Sequence, residues 1–417
     1  MKKIFSIGIG FTVILCICLF STVFAAEPVK ITFASWQWHE VPFVDFYHEM
    51  NEKFAKENPG YVIEEQYTPF AKYFDKMLAD TTAGAVPDLM LQRIEDMGPY
   101  QSMKALEPLD KWMSKTDIKS AYYSAQYQPP VKVNGKTYAL VMGYVGAELF
   151  YNKELFQKAG LSVPKNPDEF VNAAIKLTKA PDQYGYACMT MPQVAFYIHL
   201  SYWIYGQDKD YLKKEYKVNT PGVIKALTYY KKLFDAKVMP MGIDKSVIRT
   251  LFAQGKAAMI IDGPGVMDLV KTQNPSLAPK IDTAVVPFPS GVAVAQNSVL
   301  TIPAKAKQKD MAWKYLEMIN RPENNIRFLQ ITGCTTGRKL TDKQTADYLQ
   351  ENPWYTGFSG SAKNLVIPVG PTPEIDPQVS KIMIDAAQSV LYQNVPVKTA
   401  LNDAQKQIDQ IVASLKK

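Results

Sequence analysis

The chain has 417 residues, with 47 Lys and Arg against 40 Asp and Glu and a formal net charge of +7. That balance is mild for the length and no basic run is present, which excludes a nucleic-acid or membrane-surface patch. The length exceeds what one hydrophobic core usually serves, so two domains are expected.

Residues Met1 to Ala25 read as a leader rather than as part of the fold. Lys2 and Lys3 give a positive start, an uncharged apolar stretch runs from Ile4 to Phe20, and Val23-Phe24-Ala25 has the spacing a signal peptidase needs. The alternative is an N-terminal anchor, since the run is close to span length. The small-residue exit favours cleavage near Ala25, and Ile17 before Cys18 argues against lipid attachment. A soluble periplasmic protein is the expectation. After Phe33 no apolar run is long enough to span a bilayer. Cys188 and Cys334 remain, and are read as two buried thiols rather than a pair.

Val29 to Ala34 alternates as a first strand should, and ends in Ser35-Trp-Gln-Trp-His-Glu40. Phe43, Phe46, Tyr47, Met50 and Phe54 form one helical stripe, stopped by Asn58-Pro59-Gly60. Tyr61 to Gln66 reads as a second strand. Thr68-Pro69 is expected to cap the next helix, with proline at its first position. Phe70, Tyr73, Phe74, Met77 and Leu78 make its stripe and Gly84 ends it. Pro87 to Leu91 is a short third strand. Strand and helix alternating at this spacing argue for parallel βαβ units.

The run from Tyr138 to Gly160 loosens at Gly143 and Gly146, where glycine weakens a strand-like stretch. It is read as a crossing between two lobes. Asn166-Pro-Asp-Glu-Phe170 starts a helix, with Asn166 as cap and two acids at the positive end of the dipole. Ala187 to Asp208 reads as a buried helix with its ends near a cleft. Further helices are expected over Pro221 to Phe234 and Ser246 to Gln254, and a strand over Ala257 to Asp262, with Gly263-Pro-Gly265 at its carboxyl end. Ala284 to Gly291, broken by prolines, is a second candidate crossing, and Gly333 to Gly337 a third. Met311 to Asn320, Glu323 to Ile331 and two stripes in the tail complete the helices.

No catalytic residues are assigned. The histidines are His39, His48 and His199, with no His-Glu-x-x-His pair and no Cys-x-x-Cys, so neither a metal site nor a cofactor is expected. There is no Gly-x-Ser-x-Gly elbow and no phosphate loop. Glu64-Glu65 and Glu95-Asp96 could suggest glycosidase chemistry, but adjacent acids on a strand point to opposite faces.

In an open α/β sheet, ligands sit outside the carboxyl ends of the strands. That places Trp36, Trp38, His39 and Glu40 after the first strand, Gln92, Glu95 and Asp96 after the third, and Gly263 with Gly265 after a later one. Two indoles beside a polar pair suit a sugar, whose C–H faces stack while its hydroxyls need donors and acceptors. Packing in the core is the competing reading for both indoles. Trp203 is balanced between core and cleft, and Trp354 with Tyr355 lies in a loop that could carry contacts.

Several stretches occur together in order. They are Asn58-Pro59-Gly60, Ala83-Gly84-Ala-Val-Pro87-Asp88, Gly135-Lys136-x-Tyr138, and Leu149-Phe-Tyr-Asn152-Lys-Glu-Leu-Phe-Gln-Lys-Ala-Gly160. Phe170 with Ala173-Ala174-x-Lys176-Leu177-Thr178, Phe252-x-x-Gly255-Lys-Ala257-Ala258-Met259 leading to Asp262-Gly263-Pro264, and Ala312-Trp313-x-x-Leu316 follow. In this order, after a leader, the sequence resembles the extracytoplasmic solute-binding proteins of ABC sugar importers, the maltose-type family. The resemblance implies an α/β, two-lobed periplasmic-binding-protein fold of type II with three hinge crossings, closing on a sugar. It implies lobes of 27–143 plus 292–333 and of 144–291 plus 334–417, a monomer, and delivery to an ABC permease. It carries the ligand role to Trp36, Trp38, His39, Glu40, Gln92, Glu95 and Asp96, and adds Tyr144, Gln193 and the Gly263–Gly265 turn. Many members have tryptophan where Gly265 stands, so one stacking platform is missing or is supplied by Trp203, Trp354 or Tyr355. The rivals are a secreted glycosidase or lyase, and the same fold binding another solute such as a polyamine.

Overall fold

Alternation of apolar and polar residues over Val29–Ser35 buries Ile31 and Phe33 on one face, and this strand, β1, is the centre from which the first half of the chain is built. The structure, a computed structural model, describes residues 27–122, 130–355 and 364–415; the side chains of residues 144, 145, 296 and 342 also lie outside the description. The predicted leader over residues 1–25 therefore falls outside the described residues.

β1 pairs in parallel with β2 (Tyr61–Tyr67) and with β3 (Leu89–Arg93). Helix α1 (Phe43–Glu57) buries Phe46, Tyr47, Met50 and Phe54, the predicted stripe. Helix α2 (Phe70–Ala83) starts one residue later than a capping Thr68 requires. Pro69 has ψ 142 and lies outside the helix, and no side chain caps the helix start. Gly84 closes this helix with φ +80, a left-handed position that glycine takes without strain.

The sheet then gains strands from later in the chain. Ala293–Thr301 runs antiparallel to β3, Leu140–Gly146 runs antiparallel to Ala293–Thr301, and Thr335–Thr336 closes the edge. A second, three-stranded sheet holds Glu148–Asn152 between Met259–Asp262 and Ile281–Ala284. Each sheet has its own core. Phe33, Trp313 and Leu316 belong to the first, and Phe150, Trp203 and Tyr230 to the second. The chain is thus two-lobed.

It changes lobe three times. The first change falls at Ala147, between Leu140–Gly146 and Glu148–Asn152. Gly143, expected at the crossing, lies inside the strand; a Cβ there would stand 2.8 Å from the Phe328 ring, so close packing explains that glycine. The second change joins Ile281–Ala284 to Ala293–Thr301. The third follows Thr335–Thr336, before the helix Asp342–Glu351, whose Tyr348 packs in the second core.

Most predicted helices appear. Asn166 accepts from the Glu169 N–H and caps Pro167–Lys176. The aromatic helix is shorter than expected, Val194–Gln207, because Ala187 is drawn into a bridge with Ile260. Pattern reading missed the helices Gly265–Gln273 and Asp342–Glu351 and the strand Ile281–Ala284. Cys188 and Cys334 are free, buried thiols. Among the described residues no helix is long and apolar enough to cross a membrane.

Candidate functional site

The ends of β1 and β3 and the start of α2 form one wall. After Ser35 the chain turns into a single 3-10 turn, Gln37–His39, instead of continuing extended. Strand alternation therefore stops at Ser35, and the two indoles take different surroundings. Trp38 is 2% exposed, donates its Nε1–H to the Phe33 carbonyl at 2.9 Å, and packs edge-on against Phe33. It is a core residue of the first lobe, which corrects its placement on the cleft. Trp36 is also enclosed, at 4% exposure, among Phe70, Tyr73 and Phe74. It backs the wall from the core side, four residues before Glu40. His39 stays exposed and stacks on Tyr67 at 3.8 Å.

Arg93, the last residue of β3, lies with its Cζ 4.2 Å from the Phe74 ring centroid and 5.9 Å from that of Phe70. It donates to both Asp96 oxygens, at 2.5 and 2.6 Å. Glu95 stands 3.7 Å from the same guanidinium. Burial pushes the Glu95 carboxyl up to about 7 against the pull of Arg93. Gln92 accepts from the Thr301 hydroxyl at 2.9 Å.

The facing wall comes from the second lobe. Helix Lys245–Ala253 is capped by its own Asp244 and presents Lys245 and Arg249. Lys245 Nζ lies 5.9 Å from the Phe70 ring centroid, so an ammonium of one lobe meets a ring of the other. Arg249 grips Asp262 with two bonds of 2.6 and 2.7 Å, and keeps 27% of its side-chain surface while Asp262 keeps 1%. Burial alone would raise Asp262, but this guanidinium holds its carboxyl below the ordinary range. Burial pushes Lys245 down to about 8, with Arg249 adding to the effect. Burial raises Glu40, and Lys245 and Arg249 across the gap draw it back. His199, buried on the helix Val194–Gln207, feels Asp262, Lys245 and Arg249.

The remaining predicted residues divide. Gly263 donates its N–H to Asp262 at 2.7 Å, beside the second wall. Gly265 opens the helix Gly265–Gln273, and a Cβ there would meet nothing within 4 Å. Gln193 is half-buried at the start of the helix Val194–Gln207, and its Nε2 lies 2.9 Å from the Met191 sulfur. Tyr144 is placed by its backbone opposite Asn297 on the crossing strands; its side chain lies outside the description. Trp203 is fully buried against Phe288 and Phe170 in the second core, which corrects its placement in the cleft: an all-round apolar helix buries every face. Trp354 covers Phe150, with Lys271 over its ring, and the Tyr355 hydroxyl meets the Thr335 hydroxyl at 2.9 Å. Those two line the third crossing rather than the charged walls.

Sequence reading missed Arg93, His199, Lys245, Arg249 and Asp262. Arg93 and Asp262 could have been found, since each ends a strand whose carboxyl edge opens on the cleft. Lys245 and Arg249 could not, because only tertiary packing turns that helix face toward Phe70.

The walls combine charge-paired donors and acceptors with aromatic faces, an arrangement for holding a small polar solute. The family model for bacterial extracellular solute-binding proteins matches residues 41–326. A binding protein of Brucella abortus is 26% identical over 398 residues, covering 93% of this chain and 94% of its own. A galactooligosaccharide-binding protein of Bacillus subtilis is 29% identical over 204 residues, 47% of each chain. A Thermotoga lettingae ABC transporter solute-binding protein, solved bound with α-D-tagatose, superposes with a TM-score of 0.81 at 24% identity, over 93% of this chain and 100% of that one. The two lobes and three crossings are those of the type II periplasmic-binding-protein fold. By its sequence match and its architecture, the chain belongs to the family of bacterial extracellular solute-binding proteins.

Proposed function

We propose that this chain captures a sugar or oligosaccharide in the cleft between its lobes and delivers it to an ABC permease. The observation that carries the reading is the meeting of Phe70 and Lys245 across the lobes, beside two carboxylate–guanidinium pairs. Rings supply faces for the apolar side of a sugar, and fixed charge pairs supply donors and acceptors for its hydroxyls without net charge. The relatives that bind galactooligosaccharide and tagatose support the same class of cargo. Within this reading Glu40, Glu95, Arg93, Lys245, Arg249 and the Gly263–Gly265 turn contact ligand, and Trp36 packs behind them against Phe70, Tyr73 and Phe74. The lobes divide at Ala147, between Ala284 and Ala293, and after Thr336. The protein acts as a monomer, exported after cleavage near Ala25, and carries out no chemistry on its cargo.

Closure is stabilised only by the ligand's differential affinity for the closed form. Tryptophan-fluorescence titration of ligand-stripped protein against maltose, tagatose and galactooligosaccharides tests this. Saturable binding of at least one sugar, returned intact after long incubation, is the expected result. No response to any of them, or release of new reducing ends, would overturn the reading.

A further inference from the structure

Two buried side chains near the cleft have no hydrogen-bond partner among the described residues. His199 is 1% exposed, and neither Nδ1 nor Nε2 has a hydrogen-bond partner among the described residues. Its ring lies 5.3 Å from that of Tyr202. Burial pushes its imidazole down to about 3, with Lys245 and Arg249 adding to the effect against Asp262, so at neutral pH it is uncharged. Asn297 is 2% exposed, and neither Nδ2 nor Oδ1 has a hydrogen-bond partner among the described residues. It stands on the crossing strand Ala293–Thr301, opposite Tyr144 and next to Ser298, which pairs with Arg93. The helix carrying His199 packs against that same strand.

Buried polar side chains in native proteins are nearly always bonded, because leaving water without a replacement is costly. Two such groups on packed elements, one among the charged residues of the second wall and one on the crossing strand opposite Tyr144, call for a partner from outside the chain. We propose that His199 and Asn297 are specificity-determining residues whose imidazole and amide bond directly to adjacent hydroxyls of the bound sugar. A neutral imidazole offers one donor and one acceptor, and an amide offers both kinds. A pair of vicinal hydroxyls, each of which donates and accepts, is the group that matches. Arg93 and Arg249 can only donate, so they cannot replace that role. The inference rests on the sugar reading and deepens it.

Calorimetric titration of wild type, His199→Phe and Asn297→Leu separates the two. The ligand is the tightest binder among maltose, tagatose and galactooligosaccharides, together with its monodeoxy analogues. Each variant is expected to lose roughly tenfold in affinity for the parent sugar, the worth of about one hydrogen bond. One monodeoxy analogue is expected to bind wild type and variant equally, a result that loss of packing alone would not produce. The ligand-free variants should melt no lower than wild type, since an unbonded polar group has been replaced. If His199→Phe fails to fold, His199→Gln, which keeps a donor and an acceptor, should bind within about threefold of wild type. Variants that bind the parent sugar as wild type does, with discrimination among analogues unchanged, would overturn this inference alone. Wild type that binds none of the sugars would overturn the sugar reading first.

Discussion

Glu40 and Glu95 sit on the same wall with carboxyls raised by burial, and each is balanced by a cation rather than sealed by one. For Glu95 the consequence can be measured. Its folded carboxyl binds a proton up to about 7, against an ordinary value of 4.5. A carboxyl raised by folding contributes stability that is present below its ordinary value and is lost as pH rises through the folded one. Ligand-free wild type should therefore lose stability relative to Glu95→Gln between pH 4.5 and about 7; melting curves at pH 5 and pH 8 would show it, and a constant difference would contradict it. Trp38 makes the opposite kind of claim. Its indole is bonded and enclosed within the first core. Trp38→Ala is expected to cost about 3–5 kcal/mol in denaturant unfolding, as loss of a buried tryptophan does.

At the scale of the element, the clearest case is the helix Gly265–Gln273, which begins where the strand Met259–Asp262 ends. Such strand–turn–helix joints present their first residues to the cleft. Gly265 has open space where its Cβ would be, so the residue is small without crowding as the cause. Gly265→Trp should fold as wild type does and add a stacking surface worth about 1 kcal/mol. Titration with an oligosaccharide and its monosaccharide checks this, the gain being larger for the longer ligand. The predicted and observed helices agree best where a stripe of large apolar residues is bounded by its own stop or cap, as by Asn58 after Phe43–Glu57 and Asn166 before Pro167–Lys176. They disagree where neighbours intervene. The run before Val194 is taken up by bridging to Ile260, and Asp342–Glu351 has too polar a pattern to be seen without the core that Tyr348 joins.

Across the whole molecule the lobes meet at a second place. A Cβ on Gly98, in the helix Met97–Ser102, would stand 2.1 Å from the Pro373 carbonyl oxygen of the second lobe. No side chain fits there unless the Pro373 backbone or the lobes shift. Gly98→Ala is expected to hold the ligand-bound form more open and to weaken binding by roughly tenfold, since closure is then opposed by strain. X-ray scattering with and without saturating sugar, alongside calorimetry, would check it; normal compaction with normal affinity would show that the contact plays no part in closure.

Local order was readable from the chain alone. Alternation in Val29–Ser35, the stripe in Phe43–Glu57, the Asn166 cap and the order of motifs that marks the family depend on neighbours within a few residues, and those are written in sequence. Which residues face the cleft was decided elsewhere. Trp36 and Trp38 separated because a 3-10 turn ended the alternation, and Trp203 was drawn inside by a helix buried on every side. Arg93, Lys245, Arg249 and Asp262 came to face one candidate site only when the start of a helix in one lobe, at Phe70, met a helix of the other. Burial and charge pairing are sums over residues far apart in the chain, so no local pattern encodes them.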